Sequence, residues 1–273
     1  MTDLIGREYP VLNHGHVVLL AYSGSDTEIA SAARTSYGGG VSSAAADENL
    51  LRYLMRHRHT SPFEMAWLKF GLKLPIFVDR QLIRHRMFST NEVSARYTVL
   101  PDETYSPADE RIAEQSTTNK QGSGQPLREY EVADFNQNLA ESYSESFFAY
   151  RNAIEAGVAR ELARITLPVG TYTQKVWAGN LHSLLHFLEL RLDERAQWEI
   201  RQYALAIADI VAELFPATWK AFLDYRVDAI TFSKQELILL ANQLQGREVD
   251  LADLSPREID EFIDKIDRMK GLL

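Results

Sequence analysis

The chain has 273 residues, a formal charge of −9 and no cysteine. The missing sulfur excludes thiolate nucleophiles, disulfides, zinc knuckles, iron–sulfur clusters and CxxC redox chemistry, each of which needs that side chain. A composition of 45% apolar and 25% charged residues fits a globular protein with chain enough for a large core, and the acidic balance argues against broad, nonspecific nucleic-acid binding.

The N-terminal ten residues carry acids and no apolar run of the length a signal peptide or membrane span requires, so a soluble, cytoplasmic protein without a membrane partner is expected. His16 to Tyr22 reads as a strand and Glu28 to Arg34 as a helix leading into a polar turn, Thr35 to Gly40. Glu48 to His57 places Leu50, Leu51, Leu54 and Met55 at helical spacing. From Leu68 to Leu74 apolar residues alternate with Lys69, Gly71 and Lys73, the pattern of a strand with one buried face. Pro75 suits the first turn of a helix through Val78, Leu82 and Ile83.

Residues 101–127 are rich in Pro, Asp, Ser, Thr, Asn, Gln and Gly and read as a surface loop inside one domain. A long helix follows, with Phe135, Leu139, Tyr143, Phe147, Tyr150 and Ile154 on one stripe and an end near Gly157. Further helices are expected at 158–165, 181–191 and 195–215, before Pro216. Two more close the chain, the last opened by the capping box Ser255-Pro256-Arg257-Glu258, striped by Ile259, Phe262, Ile263 and Ile266, and stopped at Gly271. The expected fold is α+β, mostly helical with a small antiparallel or mixed sheet: a single large domain over 1–240 and a helical extension over 241–273.

The densest polar cluster runs from Arg84 to Tyr97 and holds three arginines, a histidine, two serines, an Asn-Glu pair and a tyrosine. It starts where Gln81, Arg84 and His85 share one face of a helix end. Arginine forks match the paired oxygens of phosphate and carboxylate. Composition alone equally allows a solvated charged face with an Arg96–Glu92 helix pair.

The order Arg84-His85-Arg86-x-x-Ser89-x-Asn91-Glu92-x-Ser94-x-Arg96-Tyr97 resembles the signature RHRxxSxNExSxRY of the flavin-dependent thymidylate synthases. Ala33 to Ser36, His59 to Glu64, Ala163 to Pro168, Asn180 to Arg191 and Ala196 to Ile200 are similar to other segments of that family, so the likeness spans about residues 15 to 240. It implies reductive methylation of dUMP to dTMP, with methylenetetrahydrofolate as carbon donor and an NADPH-reduced FAD as hydride source.

By the same resemblance FAD would meet Ser61, Arg84, His85, Arg86, Glu92, Asn180, Leu181, His182 and His186. The dUMP site would be lined by Gln81, Leu82, Ile83, Arg84, Glu92, Val93, Ser94, Ala95, Arg96, Arg164 and Arg191, with Arg191 the catalytic residue that stabilises negative charge on the uracil. Ala95 stands where the family often has glycine, and His182 and His186 where other members carry Arg and Asn. No GxGxxG follows the first strand, so a non-Rossmann flavin site is expected. A homotetramer with active sites shared between subunits follows from the resemblance.

Two other readings use the same residues. His182 and His186, four apart with Glu189 a turn on, have metal-ligand spacing, and a metal-dependent hydrolase is the alternative enzyme, although the HExxH glutamate is missing. A nucleic-acid patch built on the Arg84–Arg86 cluster with Phe88, Tyr97 and Tyr105 stacking is opposed by the overall charge. The expectation is therefore a small-molecule enzyme with no metal and no nucleic-acid partner.

Overall fold

The computed structural model describes residues 4–39, 43–117, 121–247, 251 and 254–271. Its chain divides into two compact units, Met1–Phe222 and Leu223–Leu273, a division that falls upstream of the boundary expected at 240/241.

The first unit is built on a five-stranded sheet in which every paired neighbour is antiparallel. Strand β1 (Glu8–Val11) is joined by a tight turn to β2 (Gly15–Ser23), after which α1 (Asp26–Arg34) and α2 (Ala44–Arg56) precede β3 (Trp67–Pro75). Ser25 and Ser43 cap α1 and α2, their hydroxyls accepting from Glu28 N and Ala46 N. Beyond α1, Thr35–Tyr37 forms a single 3-10 turn, and Gly40, the last residue of the expected polar turn, lies outside the described residues.

The expected alternation in β3 holds: Leu68, Phe70, Leu72 and Leu74 are buried, and Lys69 is exposed. Pro75 ends the strand as the N-cap of α3 (Ile76–Leu82) rather than lying inside the helix. Strand β4 (Ser89–Glu92) lies at the far edge, and β7 (Tyr172–Asn180) fills the place between β3 and β4. Strand β7 carries no apolar alternation, because the side chains it buries include Thr173 and Lys175 as well as Trp177.

The 101–127 segment is more than a surface loop. Its short strands β5 (Ala113–Gln115) and β6 (Ser123–Pro126) pair with each other, and Tyr105 and Ile112 are buried. The long helix α4 (Glu129–Glu155) begins earlier than its apolar stripe, and Gly157 just beyond it adopts φ +79°, the left-handed conformation that suits glycine. Of the expected stripe Phe147 and Tyr150 are buried, whereas Phe135 is exposed.

After the short α5 (Arg160–Ala163) and β7 come α6 (Leu181–Arg191), α7 (Trp198–Leu214) and α8 (Pro216–Phe222). Helix α7 buries Ile200, Tyr203, Ala204, Ile207, Ile210 and Val211, and it packs on the sheet at β1 and β2. Each such large apolar side chain removed from water contributes about 1.5–3 kcal/mol. Both Asp26 carboxylate oxygens accept from the first turn of α8, at Ala217 N (2.7 Å) and Thr218 (3.1 and 2.6 Å).

The second unit contains α9 (Lys234–Leu244) and α10 (Pro256–Lys270). The Ser255–Glu258 capping box forms as expected. Leu239, Leu254, Phe262 and Ile266 make its core, with Ile259 against them, while Ile263 is exposed. Gly271 ends α10 with φ −68°, so it uses no left-handed freedom there.

Candidate functional site

The signature segment is placed by β3, α3 and β7. Helix α3 closes at Leu82, and Arg84 N and His85 N donate to the carbonyls of Gln81 and Leu82 in a terminal turn. The chain then reverses into β4, so Arg84 and His85 leave the helix instead of extending its face. Phe88 fixes the turn by stacking on Trp177 at 3.7 Å between centroids and 16° between planes. That stack requires the glycine at 179, where a Cβ would lie 2.5 Å from the Phe88 ring. Arg84 and Arg86 are exposed and have no ion-pair partner among the described residues.

His85 and Arg191 meet across the turn. Arg191 Nε donates to His85 Nε2 at 3.0 Å, and the imidazole stands edge-on to Phe187 at 4.9 Å. Burial above all, then the charges of Arg191 and His186, hold the His85 pKa down to about 4. The ring is therefore neutral near pH 7 and accepts through Nε2. Burial also lowers the Arg191 pKa, although a guanidinium stays charged. A cation is thus held in place by an uncharged partner, which leaves its charge available.

A second group lies at the start of α6. Asn180 accepts from Ser183 N at 2.8 Å as the N-cap, and Leu181 N donates to Ala66 O at 2.9 Å. The latter bond brings the Ser61–Met65 turn beside α6. Ser61 is exposed, His182 is half-buried, and the exposed His186 lies 3.9 Å from Glu189. Leu181 and Leu82 are buried in the core, whereas Ile83 and Val93 are exposed.

A third group surrounds Glu92. Thr173 Oγ1 donates to its carboxylate at 2.7 Å, and the Lys175 ammonium is 4.0 Å from it while binding Asp79 at 2.5 Å. Glu92 ends a strand and Arg96 pairs with Glu161 at 3.5 Å, which corrects the Arg96–Glu92 helix pair. Arg164 Nε donates to the Glu161 carbonyl at 3.3 Å, and Arg160 binds Tyr97 O at 2.9 Å. The signature's end and the 160–164 segment are thereby brought together. Ser94 Oγ accepts from Arg96 N, and Ala95 is buried.

Gln81 is held by Gln197, whose amide is bound in turn by Glu199. Glu199 is buried and also takes Arg111 and Tyr105; burial first, then Glu199, pushes the Tyr105 hydroxyl pKa well above its usual value. Sequence reasoning assigned no role to Asp79, Lys175, Arg111 or Glu199. Their only signal is a charge at a position that the fold buries.

Among the described residues no group of three His, Asp or Glu side chains is placed to hold a metal ion, and none of the helices is long and apolar enough to cross a membrane.

A family model described as thymidylate synthase complementing protein matches residues 18–217. A flavin-dependent thymidylate synthase of Ruegeria pomeroyi is 47% identical over 274 residues, spanning 98% of this chain and 91% of that one. Another, from Thermus thermophilus, is 44% identical over 261 residues, spanning 94% and 95%. Among solved structures, the UMP/dUMP methylase PolB from Streptomyces cacaoi, bound with 5-Br dUMP, aligns with a TM-score of 0.73 at 32% identity, covering 80% of this chain and 99% of that one. None of these relatives supports the hydrolase alternative. By the family model over residues 18–217 and relatives this similar over nearly the whole chain, the chain belongs to the flavin-dependent thymidylate synthase family.

Proposed function

We propose that this chain converts dUMP to dTMP by reductive methylation, with FAD as its flavin, methylenetetrahydrofolate as carbon donor and NADPH as reductant. The observation that carries the reading is the Arg191–His85 pair beside the exposed Arg84 and Arg86. The flavin, when bound, supplies the hydride that completes the methyl group.

The chain's own residues fit such a cofactor. Asn180 Oδ1 is committed to Ser183 N, which leaves the amide nitrogen as the group that can donate to a ligand. Arg84 and Arg86 offer exposed guanidinium groups to a pyrophosphate. Ser61, His85, Glu92, Leu181, His182 and His186 complete the set assigned to FAD. The dUMP phosphate falls to Arg96 and Arg164. Their shared partner is Glu161, whose ion pair with Arg96 is exposed on both sides, so a phosphate dianion competes for them readily.

Arg191 does the electrostatic work at the uracil. Its Nε is spent on neutral His85, and its remaining N–H groups face a base that becomes anionic. Because the chain has no cysteine, no thiolate adds to the ring.

Active sites shared between subunits of a homotetramer suit this arrangement. Among the described residues, neither a hydrogen bond nor an ion pair links the Arg96–Arg164 group to the His85–Arg191 group within one chain. Tyr130 and Phe135 on α4, and Trp67 at the start of β3, are also left exposed, apolar side chains that suit subunit contacts.

Two variants test the assignment. Arg191→Ala should keep its flavin and lose dTMP formation by about 10²–10³. Arg86→Ala should lower flavin occupancy. A fully yellow Arg86→Ala protein, or an Arg191→Ala protein within a few-fold of wild type, contradicts the respective role.

A further inference from the structure

Glu199 is 4% exposed, and both its oxygens accept hydrogen bonds. Oε1 accepts from Arg111 Nε (3.2 Å), Arg111 Nη2 (3.1 Å) and the Tyr105 hydroxyl (3.1 Å). Oε2 accepts from Gln197 Nε2 at 2.8 Å. Gln197 Oε1 in turn accepts from Gln81 Nε2, in the last turn of α3. Gln197 stands at the N-cap of α7 without capping it through its side chain, so that side chain is available for this chain of bonds.

The direction of every bond in the series follows from one end. A carboxylate can only accept. Gln197 must therefore turn its NH2 group toward Glu199, which points its carbonyl oxygen at Gln81. Gln81 must answer with its own NH2 group, and its carbonyl oxygen is left facing away as an acceptor. The polarity of a glutamine amide, ordinarily free to flip, is fixed here by an ion two residues removed in the hydrogen-bond chain.

We propose that Glu199 is a positioning residue for the nucleotide. Acting through Gln197, it presents the Gln81 carbonyl oxygen to a hydrogen-bond donor of dUMP, which has two, the ring N3–H and the 3′-hydroxyl. The inference rests on the assignment of Gln81 to the dUMP site. An ion pair that served folding alone would need only Oε1, where Arg111 and Tyr105 bind. The second oxygen is spent entirely on the path to Gln81. A glutamine at 199 would either set its NH2 group against the Arg111 donors or, turned the other way, let Gln197 and Gln81 flip, so that Gln81 presents its NH2 group in place of the carbonyl oxygen.

Four variants of the flavin-loaded enzyme test this, with the dUMP Kd, the split between KM and kcat, and Tm all measured. Glu199→Gln should raise the Kd and KM for dUMP about five- to tenfold, the worth of one neutral hydrogen bond, with kcat within twofold of wild type. Gln197→Leu leaves the Arg111–Glu199 pair in place and should raise them as much, which covers the case of a Glu199→Gln protein that folds poorly. Arg111→Gln should lower Tm at least as far as Glu199→Gln does, yet keep the dUMP Kd within twofold, since Tyr105 and Gln197 still hold the carboxylate. In a Gln81→Ala background, Glu199→Gln should add no further loss.

If Kd rises in step with the fall in Tm for Arg111→Gln and Glu199→Gln alike, Glu199 is structural and the proposal fails. An unchanged Kd in both Glu199→Gln and Gln197→Leu, with Gln81→Ala weakened, overturns the relay alone. An unchanged Kd in Gln81→Ala overturns the Gln81 assignment and the relay with it.

Discussion

The Asp79–Lys175 pair gives the sharpest stability test. The ammonium and carboxylate are 2.5 Å apart, with side-chain exposures of 1% and 8%, on the face of the sheet that also buries Phe70, Leu72 and Trp177. Asp79→Leu would leave the ammonium buried with Glu92 as its nearest anion, 4.0 Å away and 40% exposed. That contact is too long and too wet to replace the lost partner. Removing one member of a buried pair costs about 3–5 kcal/mol, whereas replacing both by apolar groups of similar volume is often close to neutral. Asp79→Leu and Lys175→Met should therefore each cost about 3–5 kcal/mol, and the double variant about 1 kcal/mol or less. Urea unfolding followed by tryptophan fluorescence, with the slope m compared across the four proteins, measures the coupling. Single variants within about 1 kcal/mol of wild type, or losses that simply add, would refute the view that this pair holds α3 to β7.

Two further outcomes follow from the site. The His85 pKa is about 4 in the folded protein against 6.5 unfolded, so between those values the unfolded chain binds a proton that the folded one refuses. Stability is then complete above pH 6.5 and falls as pH drops toward 4, by about 1–2 kcal/mol once solvent screening is allowed for. His85→Asn should flatten that part of the pH–stability curve, and an unchanged slope would contradict the burial of a neutral imidazole. Gly179→Ala places a methyl group 2.5 Å from the Phe88 ring, which must unstack from Trp177. A loss of about 1–3 kcal/mol with lower flavin occupancy is expected, measured by unfolding and by absorbance, and an unperturbed variant would show that the stack does not position the turn.

The helices were legible because their signals are local. The helix α4, the capping box of α10 and the alternation of β3 each follow from side chains a few positions apart, and the structure forms all three, although only Phe147 and Tyr150 of the α4 stripe are buried. The signature residues were legible too, as a fixed order of polar types. What stayed hidden depends on pairs distant in the chain. Strand β7 buries a lysine, which no alternation rule anticipates until Asp79, 96 positions away, is beside it. The 101–127 segment reads as polar surface, but Arg111 reaches a buried Glu199, and Tyr143 donates to the Tyr105 carbonyl at 2.9 Å. Arg96 gives no sign of choosing Glu161 over the nearer Glu92, because the choice is made by where β4 ends.

The most direct measurement is tritium release from [5-³H]dUMP by the purified protein with FAD, NADPH and methylenetetrahydrofolate present, repeated with each omitted in turn. The account predicts release coupled one-to-one to dTMP in the complete mixture, and loss of dTMP when the flavin, the reductant or the folate is withheld from cofactor-stripped protein. Undiminished dTMP formation by flavin-free protein, or no dTMP in the complete mixture from a folded, yellow protein, would contradict it.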